Sequence, residues 1–78
     1  MILYSTEGCH LCEEAEQLLI DLRSGVPDLT WEVVDIADDD ALFERYGWSI
    51  PVVTDGAGRE LLWPFDGGAL RAFVEASR

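Results

Sequence analysis

Two cysteines separated by two residues, Cys9-His10-Leu11-Cys12, stand where a short apolar start, Met1-Ile2-Leu3-Tyr4-Ser5, gives way to an amphipathic run beginning at Leu11. The first segment has the content of a strand and the second repeats with the spacing of a helix, so the dithiol falls at a strand-to-helix junction. Backbone N–H groups and the positive end of the helix dipole collect at such a junction and stabilise a thiolate, the reactive form of cysteine. The placement therefore points to thiol–disulfide exchange.

The rest of the chain can be read as a continuation of that junction. Leu11, Ala15, Leu18, Leu19 and Leu22 share one face while Glu13, Glu14, Glu16, Gln17 and Asp21 lie elsewhere, which predicts a helix from about Cys9 to Arg23, ended by Gly25 and Pro27. Thr30 to Ile36 has the β-branched and aromatic content of a strand, and Asp38 or Asp39 can cap a short helix running to about Tyr46 and stopped by Gly47. Ile50 to Thr54 and Arg59 to Trp63 read as strands joined by the turn Asp55-Gly56-Ala57-Gly58 into a hairpin. Asp66 then caps a closing helix whose Leu70, Phe73 and Val74 face inward. The order β-α-β-α-β-β-α predicts an α/β fold. Its first two strands should run parallel through a right-handed crossover and its last strand antiparallel at the edge, giving a four-stranded mixed sheet flanked by helices.

Composition narrows the function classes. A chain of 78 residues, 49% of them hydrophobic, can build one core and is expected to form a single domain over 1–78. Two cysteines are too few for a disulfide-stapled secreted scaffold, and no segment has the pattern of a signal peptide or the length of a membrane span, so the reducing cytoplasm is the expected compartment. Sixteen acidic against five basic residues give a formal charge of −11, which repels nucleic acid and anionic membranes. The acidic excess has two readings, a surface that keeps a small monomer soluble or a surface that docks a basic partner protein.

With these elements in place the chain resembles the thioredoxin superfamily, and within it the small bacterial glutaredoxin-like proteins. The resemblance rests on Leu3 to Cys12, on Val34-Asp35-Ile36 and Tyr46-Gly47, on the Ile50-Pro51 step and on Asp66-Gly67-Gly68. It implies a thioredoxin-like fold in which Cys9 is the exposed nucleophile and Cys12 the resolving thiol. Residues at i and i+3 of a helix are neighbours, so Cys12 can attack a mixed disulfide on Cys9 without a large movement, and the pair is expected to close into a reversible disulfide. The resemblance also implies a cis bond before Pro51, with the Ile50 backbone bordering a bound peptide; Trp48, just before this step, either packs against such a peptide on the rim of the site or belongs to the core.

Departures from the family pattern matter as much. His10-Leu11 is neither the Gly-Pro of thioredoxins nor the Pro-Tyr of common glutaredoxins, and Leu3 stands where thioredoxins carry a buried aspartate, leaving Glu7, Glu13 or a water to accept the proton. Ser5, Thr6 and Glu7 occupy the stretch where glutaredoxins commonly place a lysine for glutathione. Glutathione is therefore expected as a weak co-substrate at most, held by the Ile50 backbone and the helix start at Gly67-Gly68. His10, between the thiols, either stabilises the Cys9 thiolate as an imidazolium or is a solvated residue at the helix start, because Glu7, Glu13 and Glu14 oppose a thiolate and offer it other partners. A zinc or iron–sulfur site is not expected, since one chain supplies too few thiolate and imidazole ligands for a closed centre and would need a dimer or an external thiol to complete it. Trp31 and Trp63 read as core or sheet-face residues; Tyr4 either borders the site or is core.

Two functions remain in play. One is a thiol–disulfide oxidoreductase acting on disulfides of proteins or small thiols; the other is a binding module of the same fold whose dithiol is vestigial or metal-holding and whose acidic surface docks a partner.

Overall fold

The computed structural model describes residues 1–77. Its elements are β1 (Ile2–Ser5), α1 (His10–Arg23), β2 (Glu32–Asp35), a 3-10 turn (Ile36–Asp38), α2 (Asp40–Tyr46), β3 (Val52–Thr54), β4 (Glu60–Leu62) and α3 (Gly67–Ala76). One sheet is built in the order β2-β1-β3-β4. β1 runs parallel to β2 with Leu3 opposite Val33, and antiparallel to β3 with Leu3 opposite Val53; β3 and β4 form the antiparallel hairpin. The expected α/β architecture and mixed sheet are both present.

Alternation along the strands sends side chains to opposite faces of the sheet. Leu3 and Val53 point into a large cluster with Ala15 and Leu19 of α1 and Leu70, Phe73 and Val74 of α3. Tyr4 and Val52 point the other way, against Ile36 and the α2 residue Tyr46. Because helices cover both faces, all three residues of the central strand β3 are buried, and the strand reads as a continuous apolar run rather than an alternating one. Trp31 and Trp63 pack half-buried on the edge of the larger cluster.

Capping follows from side-chain chemistry. Asp39 Oδ1 accepts the Ala41 and Leu42 N–H groups and begins α2, and Asp66 Oδ1 accepts the Ala69 N–H and begins α3. Gly47 ends α2 where a Cβ would meet the Phe43 carbonyl oxygen at 2.6 Å. The β3–β4 turn uses Gly56 and Gly58 at φ of +81° and +103°, a region that other residues rarely enter.

Several boundaries differ from expectation. α1 begins at His10, because Cys9 is still extended and serves as its cap. The second, third and fourth strands are shorter than the apolar runs that announced them, since ladder pairing stops at Glu32, Val52 and Leu62 while side-chain content continues beyond. Leu11, expected on the inward face, is 44% exposed. Consecutive helical residues are about 100° apart, so only one of Leu11 and Cys12 can face the sheet, and Cys12 takes that place at 4% exposure.

Candidate functional site

Gly8, at φ of +79°, turns the chain out of the Ser5 end of β1 and into α1. Cys9 follows in an extended conformation as the N-cap, and its Sγ accepts the Cys12 N–H at 3.2 Å. That contact uses one of the backbone donors left unpaired at a helix start and directs it at sulfur. Cys9 and Cys12 are joined as a disulfide with their Cα atoms 5.2 Å apart, within the span such a bridge requires. Cys12 is buried and Cys9 half-buried, so Cys9 is the more open of the two sulfurs.

A cavity of about 210 Å³ opens beside the bridge. Its walls come from Leu3 and Val33 of the sheet, from the β1–α1 connection with Ser5, Thr6 and Glu7, and from α1 with both cysteines, Glu13 and Glu16. Three carboxylates thus share the cavity with the sulfurs, and among the described residues no cationic side chain lines it. All five basic residues are arginines, and those within the described residues are engaged elsewhere. Arg23 lies over the Trp31 ring, Arg45 pairs with Glu60, Arg59 lies over Phe73 and Arg71 pairs with Glu75. Among the described residues no group of three or more His, Cys, Asp and Glu side chains is arranged to hold a metal ion.

The other residues singled out from sequence fall in different places. Glu7 lines the cavity as an exposed residue. His10 is turned to solvent with its side chain 86% exposed, and its Nδ1 lies 3.7 Å from Glu13 Oε2, an ion pair only when the imidazole is protonated. The Ile50–Pro51 peptide bond is cis, Pro51 is fully buried, and its carbonyl accepts the Trp63 N–H at 3.2 Å. Ile50 packs on the α2-side cluster. Trp48 is fully exposed, which removes the core alternative for it, and it does not line the cavity beside the bridge. Gly67 and Gly68 open α3; Gly67 lines a separate cleft with Glu14, Gln17, Leu18, Trp63, Phe65 and Asp66. Tyr4 does not line the cavity; it packs half-buried against the smaller core cluster, stacked on Tyr46 with ring centroids 4.5 Å apart.

Two features lie outside the residues that the sequence points to. Glu16 falls on the polar face of α1, yet it lines the cavity one helical turn beyond Cys12 and its Oε2 accepts the Trp31 indole N–H with Nε1 at 3.5 Å. The i, i+4 spacing from Cys12 was the available signal. The second cis bond, Trp63–Pro64, had no signal apart from the proline itself.

Known proteins match this arrangement over nearly its whole length. The family model described as Glutaredoxin-like domain (DUF836) matches residues 1–75. Among solved structures, the X-ray structure of Northeast Structural Genomics target protein XcR50 from X. campestris is 43% identical. It aligns with a TM-score of 0.85 over 96% of this chain and 95% of that one. The solution structure of the same target gives a TM-score of 0.82 over 96% of this chain and 91% of that one, again at 43% identity. No curated protein matches the chain. The mixed sheet, its three helices and a C-x-x-C pair at the start of α1 are those of a thioredoxin-like fold, and the chain belongs to the glutaredoxin-like (DUF836) family.

Proposed function

We propose that the protein is a thiol–disulfide oxidoreductase that reduces disulfides of proteins or small thiols. The observation that carries this reading is the Cys9–Cys12 pair at the N-terminus of α1, with Cys9 Sγ accepting a helix-start N–H and Cys12 buried behind it. A helix-start donor stabilises negative charge on sulfur, which suits Cys9 to attack.

In the reduced protein the Cys9 thiolate attacks one sulfur of the substrate disulfide, forms a mixed disulfide and expels the other substrate sulfur as a thiolate. Cys12 then loses its proton and attacks Cys9 Sγ, closing the Cys9–Cys12 bridge and expelling the second substrate thiolate. The substrate gains two electrons and, from water, two protons; the dithiol loses as many. A thiol of low molecular weight or a partner dithiol restores the reduced pair by the reverse exchange.

The remaining assignments belong to the same reading. Glu7 and His10 modulate the dithiol, while Trp48 and the Ile50 backbone border an extended substrate over the buried Pro51, with Gly67 and Gly68 offering helix-start N–H groups to a carboxylate. The protein acts as a cytoplasmic monomer without a bound cofactor, on a disulfide partner that can be basic and is neither nucleic acid nor membrane. Glutathione is a weak co-substrate, because an anionic tripeptide meets a chain of charge −11 and Ser5, Thr6 and Glu7 supply no cation.

The decisive experiment is a trap. A Cys12→Ser variant cannot resolve the mixed disulfide on Cys9, so it should retain partners covalently and release them on addition of a dithiol; the class of what is trapped identifies the substrate. If the variant traps nothing that Cys9→Ser fails to trap, and the unmodified protein does not reduce a protein disulfide, the oxidoreductase reading is wrong.

A further inference from the structure

Of the three carboxylates that share a cavity with the disulfide, Glu16 is the one held in place by the fold. It is half-buried, whereas Glu7 and Glu13 are exposed, and it accepts the indole N–H of Trp31, a residue packed against the main core and covered by Arg23 at 4.8 Å. It also lies four residues beyond Cys12 on the same helix, so that its carboxylate and the Cys12 sulfur face the same space.

Once the bridge is reduced, two effects act on the Cys12 thiol in the same direction. Burial at 4% exposure disfavours a thiolate, and a fixed negative charge across a small cavity disfavours it further. The charged groups facing this space are Glu13 and Glu16 of α1 and Glu7 of the β1–α1 connection. The sheet contributes only uncharged Leu3, Ser5 and Val33, and the one nearby imidazole, His10, is turned outward toward Glu13. Among the described residues no cationic side chain on these walls offsets the carboxylates.

We propose that Glu16 is a positioning residue that keeps the Cys12 thiol protonated near neutral pH and so prolongs the mixed disulfide on Cys9. This rests on the oxidoreductase reading and adds to it a division of labour. Cys9 is poised to attack by its helix-start N–H, while Cys12 is restrained. During that delay a second thiol can attack the mixed disulfide, so the protein transfers a thiol between partners in competition with closing its own bridge. Atoms and electrons balance in both branches: the expelled sulfur leaves as a thiolate, and the attacking thiol gives up one proton to water.

The role of Glu16 has an unusual signature. Removing the charge should make the Cys12 thiol easier to ionise, giving roughly tenfold more thiolate at lower pH. A thiolate of lower pKa is also a weaker nucleophile, by roughly threefold for a Brønsted coefficient of about 0.4–0.5. Closure by Glu16→Gln should therefore be about threefold faster than in the parent at neutral pH and about threefold slower well above the thiol pKa, where both proteins are fully ionised. The two pH curves cross.

Reduced protein mixed with a symmetrical aromatic disulfide should release coloured thiolate in two phases. The first depends on reagent concentration and reports attack by Cys9; the second does not, and reports closure by Cys12. The expected result is a crossover confined to the second phase of Glu16→Gln, with Glu16→Asp, which keeps the charge, following the parent. Slower closure at neutral pH would instead mark Glu16 as the acceptor of the Cys12 proton and overturn the proposal, as would parallel curves. Release of a single equivalent by the unmodified protein would overturn the two-cysteine reading beneath it, a failure distinct from either of these.

Discussion

Beneath α1 and α3 the sheet is held by apolar bulk, an extended cluster from Leu3 through Leu19 and Leu70 to Val74, while beneath α2 the buried cluster shrinks to Ile36, Tyr46 and Val52. The smaller face makes up part of the deficit with polar contacts. The Tyr46 hydroxyl donates to Glu60 Oε2, Arg45 Nη2 approaches the same carboxylate oxygen at 3.5 Å, and Tyr4 stacks on the Tyr46 ring. The comparison shows where the dithiol is mounted. Cys12 and Ala15 belong to the helix that packs on the larger face, so the reactive bridge stands on the more deeply buried side of the protein.

The strongest way to break this comparison is to remove bulk from the larger face. Leu19 is fully buried, and Leu19→Ala should cost about 2–5 kcal/mol, most of what a small domain has to spare. Urea unfolding should show the midpoint collapse, and the midpoint temperature should fall by at least about 10 °C. A cost below about 1 kcal/mol would mean that the larger cluster is not the main anchor of α1.

On the smaller face the corresponding change is Tyr46→Phe, which keeps the ring stack and deletes the hydroxyl. It should cost about 1 kcal/mol by the same assay, because the bond it loses goes to a carboxylate that retains Arg45 and water. The rate of attack by Cys9 should not change. A loss as large as that of Leu19→Ala would erase the distinction between the faces.

Alkaline pH sharpens the same point. Burial first, then the hydrogen bond to Glu60 and the charge of that carboxylate, raise the Tyr46 pKa above the usual phenol value of 10.0, against an opposing pull from Arg45. The folded protein keeps this proton to higher pH than the unfolded chain does. The stability linked to Tyr46 is therefore intact below about pH 10 and declines as pH rises through the folded value. Denaturation midpoints taken from pH 9 upward should fall more steeply for the parent than for Tyr46→Phe.

The smallest expected effect lies at the far end of the hairpin. The Ala57 N–H first, and then the Arg59 N–H and the Ser77 hydroxyl, hold the Asp55 carboxyl below the usual 3.8. Its contribution is present above that value and lost as pH falls through the lower folded value. Asp55→Asn should flatten the acid limb of stability below about pH 4 and leave the midpoint at pH 7 less affected than Tyr46→Phe does. An unchanged acid limb would show that these contacts carry no net stabilisation.

Much of this molecule was legible because its signals are local. The helical repeat from Ala15 to Leu22, the capping carboxylates of Asp39 and Asp66, and the Asp55 to Gly58 turn each depend on residues within one or two turns of chain, and each is found where expected. A dithiol at a strand-to-helix junction is local in the same sense, and so is the inward face of Leu70, Phe73 and Val74.

Contacts across the sheet were not legible. Trp31 reaches Glu16 only because β2 pairs in parallel beside β1, which brings residues fifteen positions apart within hydrogen-bond reach. Tyr46 meets Glu60 only because β3 and β4 form a hairpin beside α2. Likewise Trp48 points to solvent, and Leu11 yields the inward position to Cys12, because packing rather than residue type decides which neighbour is covered. The amino-acid order determined the elements, their caps and the position of the two sulfurs, since periodicity and capping act over a few residues. The tertiary structure alone decided which carboxylates surround those sulfurs, since that follows from strand pairing and from long-range burial.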